Sequence, residues 1–167
     1  NKSTASYSII EKVSDNKQFK HPSIRECLKY LGFAEKRVSI SHIGDLPARS
    51  GIGSSSSFVV GLLNCLDSLK GNHITKSELA KKAIYIEQKV LKETVGAQDQ
   101  IAAAFGGFNI LNLRKGNEFS IEKVNISTQR IKNLNDHLML FFTGFSRNSN
   151  DITKFHINAI HKKEKEL

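Results

Sequence analysis

Two carboxylates and one loop in this chain have the residue types and spacing to do chemistry. Residues 47–57 read PARSGIGSSSS: two glycines and four serines that follow an apolar strand-like run and open into a stretch of helical period. Gly51 and Gly53 carry no Cβ, so the backbone there can approach a polyphosphate closely. The helix that Ser54 begins would aim its free N–H groups and positive dipole end at the anion. The loop is not a Walker A sequence, because no Gly-Lys-Ser/Thr follows, and it lacks the third glycine of a dinucleotide fingerprint. Its bland alternative is a flexible linker. Glu87 has only Ala83, Ile84, Val90 and Leu91 at three and four positions either way, so no charged side chain on its own helix can pair with it. It is either a carboxylate at the edge of a buried face with its head in water, or one held in a cleft to bind magnesium, an ion that demands hard oxygen ligands. Asp99 stands in a Gly-rich connection before a short helix. It is either that helix's N-cap, or a carboxylate beside an acceptor hydroxyl that it orients during phosphoryl transfer. Ser54 and Ser55 suit capping, and one such hydroxyl suits a metal or a β-phosphate. Arg49 and Arg147 suit gripping an anionic oxygen, or standing solvated on the surface. The histidines show no metal-ligand spacing and receive no chemistry.

The elements that must position these groups follow from periodicity. Residues 5–13 pattern weakly as a strand, and residues 22–31 as an amphipathic helix with Pro22 in its first turn and Ile24, Cys27, Leu28 and Leu31 on one face, stopped by Gly32. Residues 37–46 alternate as a half-buried strand. Residues 54–69 form the helix that the loop opens into, ended by Gly71. Thr75 and Glu78 make a capping box for a helix to about residue 92, with Leu79, Ala83, Ile86 and Val90 inward. A brief helix over 97–104, a turn at Gly106 and Gly107, strands at 108–113, 119–126 and 138–142, a polar link with helical character, and a last helix over 149–163 complete the chain. No repeat or low-complexity linker divides it, so the expectation is α+β, a mixed sheet packed against helices around one core.

Bulk composition narrows the classes. The 167 residues are 39% hydrophobic and 25% charged, enough for one globular domain with a real core. Apolar runs fall well short of the roughly 18 residues of a membrane span, and no signal peptide is legible, so a cytoplasmic location is expected. Cys27 and Cys65 suit buried free thiols rather than a disulfide or zinc framework. The net charge of +9 favours anionic partners such as nucleotides and sugar phosphates. Scattered lysines without a recognition motif make nucleic acid the minor alternative. The chain starts at Asn1 without Met and stops inside a charged helical segment, so it is expected to be a piece of a longer protein.

At this point the motifs point to a family. The 47–57 segment resembles the second signature of the GHMP small-molecule kinases, commonly PxxxGLGSSAA, with Ile52 for Leu and with Ser56 and Ser57 in place of two alanines. The segment GAQDQIAAAFGGFN over 96–109 is similar to the GxQDQxAAAxGGFN of the D-glycero-D-manno-heptose 7-phosphate kinases, and TGFSR over 143–147 to a TGxSR of the same subgroup. The resemblance implies a ribosomal-S5-domain-2-like fold, with residues 1–145 as the N-terminal ATP-binding domain and 146–167 as the start of the C-terminal one. It implies ATP and Mg2+ as cofactors. Asp99 would be the catalytic aspartate, and Glu87 with Ser55 would hold the metal. Pro47, Ala48, Arg49, Ser50, Gly51, Ile52, Gly53, Ser54, Ser55 and Ser56 would form the nucleotide loop, and Gln98, Thr143 and Arg147 would stand toward the substrate. The activity implied is phosphorylation of the anomeric hydroxyl of a heptose 7-phosphate. The alternatives are another sugar kinase of the family, of fucose or galactose type, or a non-catalytic nucleotide- or nucleic-acid-binding module. The family's first and third signatures are missing, so the piece is not expected to turn over alone.

Overall fold

The computed structural model describes residues 2–45 and 51–141, which fall into two units, residues 2–105 and 106–141. In the first unit, β1 (Ser3–Ser6) and β2 (Ile10–Val13) form an antiparallel hairpin with Ser3 opposite Val13. The single strand expected over 5–13 is thus two. A turn closed by the Tyr7 N–H donating to the Ile9 carbonyl at 2.9 Å separates them, and an alternating pattern cannot reveal such a turn when it carries no glycine or proline. β3 (Ser39–Ser41) adds in parallel to the other side of β1, giving a mixed sheet of order β2-β1-β3. It is only three residues of the longer strand expected from residue 37.

Helices cover this sheet. α1 (Pro22–Tyr30) buries Ile24, Cys27 and Leu28, and Gly32 follows with φ +73°, a conformation that costs glycine little. α2 (Ser54–Leu69) runs over the range its periodicity indicates and buries Val59, Leu62, Leu63 and Leu66. Cys65 departs from expectation. It is exposed, because it shares the outer stripe of α2 with Gly61 and Ser68, four residues before and three after it, whereas Cys27 is buried. α3 (Lys76–Tyr85) starts at the expected capping box: Thr75 Oγ1 accepts from the Glu78 N–H at 3.2 Å and the Thr75 N–H donates to Glu78 Oε2 at 2.9 Å. It continues into one wide π turn over Ile86–Val90. α4 (Gln98–Phe105) then packs on α2 and α3. Phe19, Ile24, Leu28, Val59, Leu63, Leu66 and Ile86 make up the centre of one apolar core that also includes Ala5 and Val13 from the sheet. Each large aliphatic side chain fully buried there contributes about 1.5–3 kcal/mol. The expected architecture, a mixed sheet packed against helices, is the one observed.

The second unit is a hairpin, β4 (Asn109–Leu113) with β5 (Phe119–Lys123), Asn109 opposite Lys123, followed by α5 (Thr128–Asp136) with Ser127 as its N-cap. The helical character read in the polar link is therefore real. The strand expected over 138–142 is not formed at 138–141, which are extended or irregular and exposed. An apolar run becomes a strand only when a neighbour accepts its backbone hydrogen bonds, and no described strand does so. The expected helix over 149–163 and the boundary near 145 lie outside the described residues. Among the described residues, no helix is long and apolar enough to cross a membrane.

Candidate active site

The loop and its helix are built as an anion would require. Gly53 is the N-cap of α2 with φ 73° and ψ 20°, and no side chain caps the helix. Ser54 and Ser55 are thus the first helical residues rather than caps. The first intrahelical bond runs from the Ser57 N–H to the Gly53 carbonyl at 2.9 Å, which leaves the amides of Ser54, Ser55 and Ser56 without intrahelical acceptors at the positive end of the dipole. Gly51, at φ 79°, takes the left-handed conformation too. Ile52 and Ser55 have exposed side chains.

Asp99 stands against this loop. A Cβ built on Gly53 would lie 3.2 Å from Asp99 Cγ and 3.4 Å from Oδ2, so the missing side chain of Gly53 is what lets the carboxylate approach the head of α2. Asp99 is the second residue of α4 and lies inside its first turn. The N-cap reading is therefore overturned, and its carboxylate is exposed. Gln98 begins α4 with its amide end folded back over Gly96, where a Cβ would collide with it.

Glu87 lies in the π turn, a geometry frequent at functional sites. Its side chain is completely buried, which overturns the reading of a head in water. Ser56 Oγ donates to Glu87 Oε2 at 2.8 Å and Gln100 Nε2 donates to the same oxygen, while Oε1 is buried with no hydrogen-bond partner among the described residues. Burial pushes the carboxyl above its ordinary pKa against those two hydrogen bonds, and the negative charges of Glu93 and Asp99 add to the rise. The hydroxyl that meets Glu87 belongs to Ser56 rather than to Ser55, because position 56 faces the core one turn before the buried Val59 and Val60.

The loop's Gly51 and Gly53, Asp99 and the Ser56–Glu87 pair all lie within the first unit, on α2, α4 and the end of α3. Pro47, Ala48, Arg49, Ser50, Thr143 and Arg147 lie outside the described residues. Gln100, fully buried, is a residue to which the motifs assign no role. Its signal was the one that marked Glu87: its neighbours at three and four positions are Gly96, Ala97, Ala103 and Ala104, none of them polar. His21 packs between the rings of Tyr7 and Phe58, with centroids 4.9 and 5.1 Å away. Burial lowers its pKa, in keeping with a packing role.

Comparison with known proteins gives this geometry a lineage. The profile of the GHMP kinases N terminal domain matches residues 20–107, just over half of the chain. The chain belongs to the GHMP kinases. It is 33% identical over 135 residues to D-glycero-alpha-D-manno-heptose 7-phosphate kinase of Campylobacter jejuni subsp. jejuni serotype O:2, covering 80% of this chain and 38% of that protein. It is 25% identical over 117 residues to a homoserine kinase of Clostridium botulinum, covering 70% of this chain and 37% of that one. In fold it matches the crystal structure of a D-glycero-D-manno-heptose 1-phosphate kinase from Bacteriodes thetaiotaomicron with a TM-score of 0.70, at 23% identity, over 80% of this chain and 47% of that one. The chain thus spans less than half the length of these relatives.

Proposed function

We propose that this chain carries the nucleotide and metal side of an ATP-dependent kinase that phosphorylates the anomeric hydroxyl of D-glycero-D-manno-heptose 7-phosphate. The observation that carries the reading is the placement of Asp99 against Gly53: one carboxylate faces the loop whose amides suit a triphosphate. In this reading the amides of residues 51–56 cradle the phosphates. Asp99 accepts the hydrogen bond of the incoming hydroxyl, aligns its oxygen and receives the proton as the new O–P bond forms and the bond from the γ-phosphorus to the β,γ-bridging oxygen breaks, ADP leaving with that electron pair. Arg49 at the loop and Gln98, Thr143 and Arg147 are proposed to hold nucleotide and acceptor oxygens.

A divalent cation fits Glu87, whose buried Oε1 has no partner among the described residues. Among the described residues no three His, Cys, Asp or Glu side chains stand together for a metal, so magnesium would rely on Glu87, the exposed Ser55 hydroxyl at the head of α2, and oxygens of the nucleotide and water, a set it accepts readily. When bound it would neutralise charge on the transferring phosphoryl group.

The name of the Campylobacter relative supports the sugar, and that of the Clostridium relative supplies the rival acceptor. The test assays the full-length protein with ATP against heptose 7-phosphate, heptose 1-phosphate, fucose, galactose and homoserine, with Asp99→Asn beside it. Phosphorylation at C1 of heptose 7-phosphate is expected. Asp99→Asn should lose about 10²–10⁴-fold in turnover while keeping its nucleotide affinity. Preference for another acceptor overturns the substrate, and a fully active Asp99→Asn overturns the role of that residue.

A further inference from the structure

Both donors that meet Glu87 converge on one of its oxygens. Ser56 reaches Oε2 from the first turn of α2 and Gln100 from the first turn of α4, and all three residues are buried. Oε1 of Glu87 and Oε1 of Gln100 are both buried without a partner among the described residues, so the cluster as described presents two unused acceptors and no cation. An arrangement meant only to satisfy a buried carboxylate would spread its donors over both oxygens. We propose that Gln100 and Ser56 are positioning residues: together they pin the plane of the Glu87 carboxylate through Oε2 and so hold Oε1 for the divalent ion. This rests on the reading that Glu87 binds that ion.

Gln100 has a further consequence because it follows Asp99 directly. Successive helical residues point about 100° apart, and here Asp99 turns outward to Gly53 while Gln100 turns inward to Glu87. The first turn of α4 thereby fixes the acceptor-side carboxylate and the metal-side carboxylate in one rigid piece.

The experiment uses the full-length protein with a non-hydrolysable ATP analogue and Mn2+ as the probe, and reads bound Mn2+ by electron paramagnetic resonance. Gln100→Leu and Ser56→Ala should each weaken Mn2+ binding about tenfold, the scale of one hydrogen bond to a charged group. In turnover, the Mg2+ concentration for half-maximal rate should rise and the lost rate should return as Mg2+ is raised, while KM for the acceptor stays put. A merely structural role would lower activity at every metal concentration. Ser56→Ala keeps the proposal testable if Gln100→Leu fails to fold, since alanine suits a helix. If Glu87→Gln loses Mn2+ but neither positioning variant does, the positioning role is overturned. If Glu87→Gln binds Mn2+ as tightly as the parent, the underlying reading fails instead.

Discussion

The two ends of the contact between α2 and α3 each bury a carboxylate, and they treat it in opposite ways. Near the C-terminus of α2, Asp67 accepts from Lys82 Nζ at 2.8 Å and from Asn72 Nδ2 at 3.1 Å. Burial pushes its pKa up, but the Lys82 and Asn72 hydrogen bonds and the charges of Lys82 and Lys70 outweigh that and hold it below its ordinary value. Near the N-terminus of α2, Glu87 has neutral donors on one oxygen and, among the described residues, no partner on the other, and its pKa is raised. One protein packs both, so the lack of a lysine at Glu87 among the described residues is no failure of the fold to provide one. The end with its own cation is finished as structure; the end without one is proposed to take its cation from solution.

The largest effect expected from this contrast is at the finished end. Lys82→Met removes the partner of a carboxylate that is 1% exposed, and should cost about 3 kcal/mol of stability in chemical denaturation, as breaking a buried pair does. The metal dependence of turnover should not change. A Lys82→Met protein as stable as its parent would erase the distinction between the two ends.

A smaller effect separates them by pH. A carboxyl with a raised pKa in the fold binds its proton more tightly there than in the unfolded chain. Its contribution is therefore complete below the ordinary carboxylate range and is lost as pH rises through the folded value. Asp67 runs the other way: its contribution is present above the ordinary range and is lost as pH falls through its lowered value. Without metal, Glu87→Gln should thus match its parent in acid and exceed it at neutral pH by on the order of 1 kcal/mol, read from unfolding curves across pH. Equal curves at every pH would mean that Glu87 is charged at no cost.

What the sequence made legible divides along similar physical lines. The loop, α2 and the capping box of α3 rest on local rules, glycine conformation, helical period and a three-residue spacing, and they form where those rules put them. Glu87 was marked by its apolar helical neighbours, a local signal of burial. Its partners were not legible, because Ser56 and Gln100 lie 31 and 13 residues away and meet it only through tertiary packing. The exposed Cys65 and the unformed strand at 138–141 fail for a related reason: an apolar context shows what a segment can bury, not which face or neighbour it finds. The role of Asp99 was open in the sequence between cap and acceptor, and only its place inside the first turn of α4, against Gly53, removed the cap.

Thermal unfolding of the full-length protein with an ATP analogue, with and without Mg2+, decides whether the Glu87 carboxylate takes a divalent ion from solution, as proposed. Mg2+ should raise the melting temperature of the parent by several degrees, as any ligand of the native state does, and leave Glu87→Gln nearly unmoved. An equal rise in both proteins would contradict the proposal.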